Sequence, residues 1–175
     1  MEYIVLGMLL IQSMTIYELN KGFGSGLSMI YAASYGNLQY AVNKLLTKEM
    51  ISFEERVENG RNKKIYHINE KGIAAFFAWM MDDIDPKNIE TLMLAKVYFM
   101  GLVEDDNDKR TIIDKILKAG EEHAAGLNEI KKTVDNLDLP PEAWKIAKYS
   151  ISTLEYGIGS YEFAITWLKK LRSEI

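Results

Sequence analysis

Between Ser34 and Gly72 the sequence passes through a capped, apolar-periodic segment, two strand-prone segments around a polar turn, and a second helix start. No other stretch limits the fold as tightly. Ser34-Tyr35-Gly36-Asn37 opens with a serine whose hydroxyl can accept a hydrogen bond from a first-turn backbone N–H. Leu38, Ala41, Val42, Leu45 and Leu46 then recur at steps of three and four, so one stripe of the helix must pack on a core. The opposite stripe carries Tyr35, Gln39, Tyr40, Asn43, Lys44, Thr47 and Lys48. Gln and Asn can pair bidentately with adenine in a major groove, Tyr and Thr can bond phosphate, and Lys can neutralise it. The alternative is a solvated polar face of the kind most surface helices present.

Ile51, Phe53 and Val57 supply the apolar positions of one strand, and Ile65-Tyr66-His67-Ile68 those of another. The turn between them reads Asn59-Gly60-Arg61-Asn62-Lys63-Lys64, with Gly60 suited to a positive φ and three cations, Arg61, Lys63 and Lys64. A basic hairpin tip can be a solubilising edge. Directly after a polar-faced helix it reads as a wing that touches backbone phosphate. Upstream, Thr15-Ile16-Tyr17-Glu18 is a capping box flanked by Met14 and Leu19 as a hydrophobic staple, and Gly22-Phe23-Gly24-Ser25-Gly26 reads as a flexible break. Two helices and a basic hairpin in this order make a winged helix-turn-helix.

In these residues the chain resembles the PadR family of bacterial and archaeal transcriptional regulators, across nearly its whole length. The matching stretches are Ile4-Val5-Leu6-Gly7-Met8-Leu9, Tyr17-Glu18-Leu19 and Ser34-Tyr35-Gly36-Asn37-Leu38-Gln39-Tyr40. Gly60-Arg61 with Lys64, Tyr66, Ile68, Glu70 and Gly72 is similar to the family's wing and following helix start. Three positions depart: a common proline is Ala41, the glycine that often ends the reading helix is Glu49, and a proline after the wing arginine is Asn62. The resemblance implies dimerisation through C-terminal helices, a repressor role, and response to phenolic or drug-like compounds.

The net charge of −4 is unevenly divided: eight Lys and Arg stand against seven Asp and Glu through Met81, and thirteen against eighteen beyond it. The small positive surplus of the first part predicts strong salt sensitivity for any DNA contact. A hydrophobic fraction of 48% in 175 residues is ample for a core, in one domain or two small ones. Zero cysteines exclude disulfides and thiol chemistry and fit a reducing, cytoplasmic setting. The apolar run from Ile4 to Ile11 is too short to span a bilayer and reads as a buried helix, with no basic leader beside it.

Asp82-Asp83-Ile84-Asp85-Pro86 marks the expected boundary, giving a DNA-binding domain over 1–82 and a helical dimerisation domain over 86–175. Leu92 to Leu102 is apolar on most sides and should be buried between helices. Glu104-Asp105-Asp106-Asn107-Asp108 lacks the glycine and terminal glutamate of an EF-hand loop and reads as charge complementing a helix N-terminus, so no metal is assigned. A long helix follows, stopping near Leu139-Pro140-Pro141. In the last helix Trp144, Ala147, Ile151, Leu154, Ile158, Tyr161, Ile165 and Leu168 alternate steps of three and four, a heptad seam. The seam can pack within its own chain or against a second copy. The second copy is preferred, because a lone terminal helix of this length would otherwise expose an apolar stripe.

His67 and His123 are the only histidines and neither has a neighbouring nucleophile or metal-ligand spacing; the Gly22–Gly26 run lacks phosphate-loop spacing. The sequence therefore reads as a non-enzyme without cofactors. The expected fold is mainly α: an N-terminal winged helix-turn-helix with a small two-stranded β wing, then an all-α dimerisation domain. The expected partners are double-stranded DNA, through Ser34, Tyr35, Gln39, Tyr40, Asn43, Lys44, Lys48, Arg61, Lys63 and Lys64, and a second copy, through Ile151, Leu154, Ile158, Tyr161, Ile165 and Leu168. The resemblance allows for a small aromatic effector, for which Trp144, which begins the seam after Pro141, is the one residue singled out; the alternative is that Trp144 and the other aromatics are ordinary core and interface residues. The function expected is a homodimeric repressor reading a palindromic operator. The alternatives are a helical dimerisation or scaffold protein whose winged-helix half binds another protein, and a small-molecule-binding protein without DNA activity.

Overall fold

The computed structural model describes residues 1–25, 27, 34–58 and 61–175, without the side chains of Ser25, Glu58 and Arg61. Asn59, Gly60 and Gly26, to which turn and break roles were assigned, lie outside that description. Among the described residues seven α-helices and three strands follow in the order α1 (Glu2–Ile11), β1 (Met14–Thr15), α2 (Ile16–Ser25), α3 (Tyr35–Thr47), β2 (Ile51–Glu58), β3 (Arg61–Ile68), α4 (Glu70–Met81), α5 (Ile89–Tyr98), α6 (Asp106–Asp135) and α7 (Pro141–Ser173). Among the described residues no helix is long and apolar enough to cross a membrane.

The chain forms two compact units, Met1–Asp82 with Glu90–Glu104, and Asp83–Ile89 with Asp105–Ile175. The stretch from Glu90 to Glu104, expected in the helical half, packs with the first unit because its aromatic end belongs to that core. Phe99 meets Phe76 edge-on at 5.7 Å, and Gly7 of α1 leaves room for both rings, whose atoms stand 2.7–2.8 Å from where a Cβ would be. Ile4, Val5, Leu6, Leu38, Val42, Leu45 and Met80 complete the core, each inaccessible to solvent or nearly so. Lys96 of α5 is buried with them; its ammonium donates to the carbonyl of Asp82, just past the end of α4, and lies 5.7 Å from the Trp79 ring. A buried lysine thus satisfies a carbonyl group left open at a helix end.

The sheet has three strands, in the order β1-β3-β2, where the sequence predicts two. Met14 and Thr15 pair with Tyr66 and Ile65, covering the free edge at the base of the wing. Two residues are too few to carry a strand periodicity. The glycine-rich stretch also differs from expectation, since α2 continues through Gly22 and Gly24 to Ser25. Gly22 serves close packing there, since Met8 Cε fills the space of its missing side chain.

In the second unit α6 and α7 are antiparallel, joined by the short segment that holds Pro140. Asp105 caps α6, its carboxylate accepting from the backbone N–H of Asn107 at 2.7 Å and of Asp108 at 3.1 Å. Arg172 binds Asp114 through Nε and Nη2 at 2.5 and 2.9 Å, and Lys169 pairs with Glu121 at 2.8 Å.

Candidate nucleic-acid interface

Local hydrogen bonds set both helices of the motif. Thr15 Oγ1 accepts from the Glu18 N–H at 3.3 Å while Glu18 Oε2 accepts from the Thr15 N–H at 2.7 Å, the reciprocal pairing of a capping box. The backbone donor at Thr15, with its hydroxyl, holds the Glu18 carboxyl below its ordinary value. Ser34 caps α3, Oγ accepting from the Asn37 N–H at 3.2 Å. Its hydroxyl is therefore already engaged in orienting the first turn.

The α3 helix buries Leu38, Ala41, Val42 and Leu45 and turns Tyr35, Tyr40, Asn43, Lys44, Thr47 and Lys48 to solvent, with Gln39 half-buried. The candidate reading residues Tyr35, Gln39, Tyr40 and Asn43 thus lie on the face opposite the core. Tyr17, at the start of α2, is also largely exposed. Lys44 and Lys48, a turn apart, both reach the carboxylate of Glu2 in α1, at 2.6 and 2.8 Å. Burial opposes the charge on Glu2, yet the hydrogen bonds from Lys44 and Lys48 hold its carboxyl below the ordinary value; the same bond raises the Lys44 ammonium.

The wing starts from a pinned base. Asn69 Nδ2 donates to the Glu49 carbonyl at 3.2 Å, Ser52 Oγ donates to Asn69 Oδ1 at 2.9 Å, and Ser13 Oγ pairs with His67 Nδ1 at 2.7 Å. His67 is thereby a structural residue of the wing base. Strands β2 and β3 stay in register from Ile51↔Ile68 to Glu58↔Arg61. One face of the ribbon carries Phe53, Glu55, Lys64 and Asn62; Lys64 lies 4.2 Å from the Phe53 ring and 3.8 Å from Glu55, and Asn62 donates to Glu55 at 3.0 Å. The other face carries Glu54, Arg56 and Lys63, with Arg56 directly opposite Lys63 and bonded to Glu54 at 3.0 Å. The Arg61 side chain lies outside the described residues.

Arg56 was not among the candidate residues. Its signal in the sequence is its position seven residues before Lys63 on the neighbouring strand, and the observed register sets the two directly opposite each other.

In the helical unit, the seam of α7 is met by α6 of the same chain. Gly120 lies 3.7 Å from Ile165 Cγ1, His123 lies against Tyr161 with ring centroids 4.5 Å apart, Gly157 lies 3.5 Å from Leu127 Cδ1, and Leu168 is buried. Ile151, Leu154 and Ile158 continue this half-buried face. These contacts are all with α6 of the same chain, and apart from Leu168 the residues expected to meet a second copy are left half-buried by them. A different stripe remains uncovered. Ile146, Tyr149, Tyr156 and Phe163 are each at least 67% exposed, and the three aromatics are spaced seven apart.

Trp144 is 38% exposed at the start of α7. A concavity of about 370 Å³ lies elsewhere in this unit, where Ile84, Pro86 and Ile89 face Glu122, His123 and Leu127 of α6, with Gly126 in the same wall.

A polar-faced, capped helix beside a three-stranded wing, joined in one chain to an antiparallel helical hairpin, defines a winged helix-turn-helix protein with a helical second unit. The chain is similar over nearly its whole length to solved structures of PadR and PadR-like transcriptional regulators. Bacillus subtilis PadR in complex with operator DNA is 16% identical, with 98% of this chain and 97% of that chain covered and a TM-score of 0.47. A Streptococcus mutans UA159 protein is 25% identical, with 98% of each chain covered and a TM-score of 0.47. A PadR-like transcriptional regulator from Bacillus cereus is 23% identical, with 99% and 94% covered and a TM-score of 0.44. No protein-family model and no curated protein sequence matches the chain.

Proposed function

We propose that this chain is a sequence-specific DNA-binding transcription regulator, a homodimeric repressor whose two reading helices meet a palindromic operator. The observation that carries the reading is the pairing of an exposed face on α3, with Tyr35, Tyr40 and Asn43, and a wing whose cations Arg56 and Lys63 stand opposite each other. The helix offers groups that recognise base edges, and the wing offers charge for phosphate. The exposed α7 stripe of Ile146, Tyr149, Tyr156 and Phe163 supplies the self-complementary apolar surface a two-fold dimer needs. Ser34 orients α3 by its cap, while Lys63, Lys64 and Arg61 act on phosphate. A small aromatic effector is assigned to the helical unit, at Trp144 or in the concavity beside Gly126.

The test is titration of the purified protein against its own upstream DNA at a series of salt concentrations. Affinity should fall steeply with salt. Each of Arg56→Ala and Lys63→Ala should lower the slope of log K against log salt by about 1, and the double variant Arg61→Ala, Lys64→Ala by about 2. Binding without a salt slope, or unchanged in all these variants, would refute the DNA reading. Phe53 and Val57, exposed on the wing's other face, favour a second reading in which the winged-helix half docks on another protein.

A further inference from the structure

Lys44 and Lys48 stand one turn apart on α3, so both ammonium groups converge on the single carboxylate of Glu2 in the first turn of α1, Lys44 on Oε1 and Lys48 on Oε2. The acid is the better-buried member, with a side chain 23% exposed against 44% and 42% for the lysines. Two cations on the DNA-facing helix thus share one internal anion. A phosphate approaching Lys44 and Lys48 meets a carboxylate already in place, whereas Tyr35, Tyr40 and Asn43 face solvent.

We propose that Glu2 is a specificity-determining residue: an internal competitor for phosphate that weakens sequence-independent attraction to α3, so that the base-reading side chains decide where the protein binds. This rests on the DNA reading above. Phosphate contacts position a protein on a duplex without carrying sequence information, and the useful quantity is the ratio of specific to non-specific affinity. An exposed ion pair is weak enough to be displaced by a well-placed phosphate, so Glu2 taxes every site alike and leaves the difference to base contacts. Glu2 touches no base and works only through Lys44 and Lys48.

The test compares wild type and Glu2→Gln on the upstream DNA and on a random-sequence duplex of equal length, across a salt series. Glu2→Gln should bind the random duplex about three- to tenfold more tightly at low salt, with the specific-to-random ratio reduced. Its salt slope should steepen by roughly one to two. The gain should vanish in the triple variant Glu2→Gln, Lys44→Gln, Lys48→Gln. Unchanged or weaker random-duplex binding by Glu2→Gln overturns the proposal, the weaker outcome meaning that Glu2 holds the lysines ready for DNA. If Glu2→Gln fails a melting control, Lys44→Gln with Lys48→Gln decides: random-duplex affinity within about twofold of wild type supports neutralisation by Glu2, and a larger loss overturns it. Wild type that binds no DNA at any salt defeats the DNA reading itself; wild type that binds while Glu2→Gln does not differ defeats only this one.

Discussion

The carbonyl oxygen of Met50 closes over Gly72 so tightly that no Cβ fits between them, and Ile68 Cγ1 stands 2.8 Å from the same point. The Asn69 N–H donates to that carbonyl at 2.9 Å, so the end of β3 and the start of α4 are locked to the residue that precedes β2. Gly72→Ala must push backbone, not a flexible side chain. It should cost about 1–3 kcal/mol or more, read as a lower denaturant midpoint, and loosen the wing base with it.

Glu49 ends α3 with φ 56, in the left-handed region. Its N–H donates to the Leu46 carbonyl at 2.9 Å and the Met50 N–H to the Leu45 carbonyl at 3.0 Å, the two bonds of a Schellman motif, whose usual residue is glycine. Glu49→Gly should raise stability by about 1 kcal/mol, a melting shift of about 2–4 °C for a chain this size.

The Glu18 carboxyl lies below its ordinary value because it accepts from the Thr15 backbone and hydroxyl. A depressed carboxyl contributes its stability above the unfolded value and loses it as pH falls through the folded one. Wild type should therefore lose its advantage over Glu18→Gln as pH drops below the usual glutamate range. Parallel unfolding curves across that range measure the difference; a constant offset would mean the cap acts by shape alone.

Gly126 sits in the middle of α6 with nothing within 4 Å of its missing Cβ, in the wall of the concavity. A mid-helix glycine costs about 1 kcal/mol relative to alanine. Gly126→Leu should leave folding intact or improved while filling the space. If that concavity takes a planar aromatic, saturable fluorescence changes seen with wild type should disappear in Gly126→Leu and survive in Trp144→Phe; the reverse outcome would place the ligand at Trp144.

On α7, Tyr156→Glu and Phe163→Glu should convert a dimer to monomer in sedimentation equilibrium without lowering the melting temperature of the monomer. Leu168→Ala should do the opposite, costing about 2–4 kcal/mol by opening a cavity against α6 and leaving association to the exposed stripe.

What the sequence determined by itself is local. The caps at Thr15 and Ser34, the apolar stripe of α3, the β2–β3 hairpin and the start of α6 at Asp105 were all legible, because each depends on a side chain and a backbone a few residues apart. Tertiary structure decided who meets whom. Periodicity said that Ile151, Tyr161, Ile165 and Leu168 share one face, yet an apolar face does not name its cover, and the fold lays α6 of the same chain against it. Lys44 and Lys48 looked like free cations until Glu2, more than forty positions away in sequence, arrived beside them; Arg56 became a wing cation only when the strand register set it opposite Lys63. Charge pairing and burial depend on distances in space, and only the folded chain sets those.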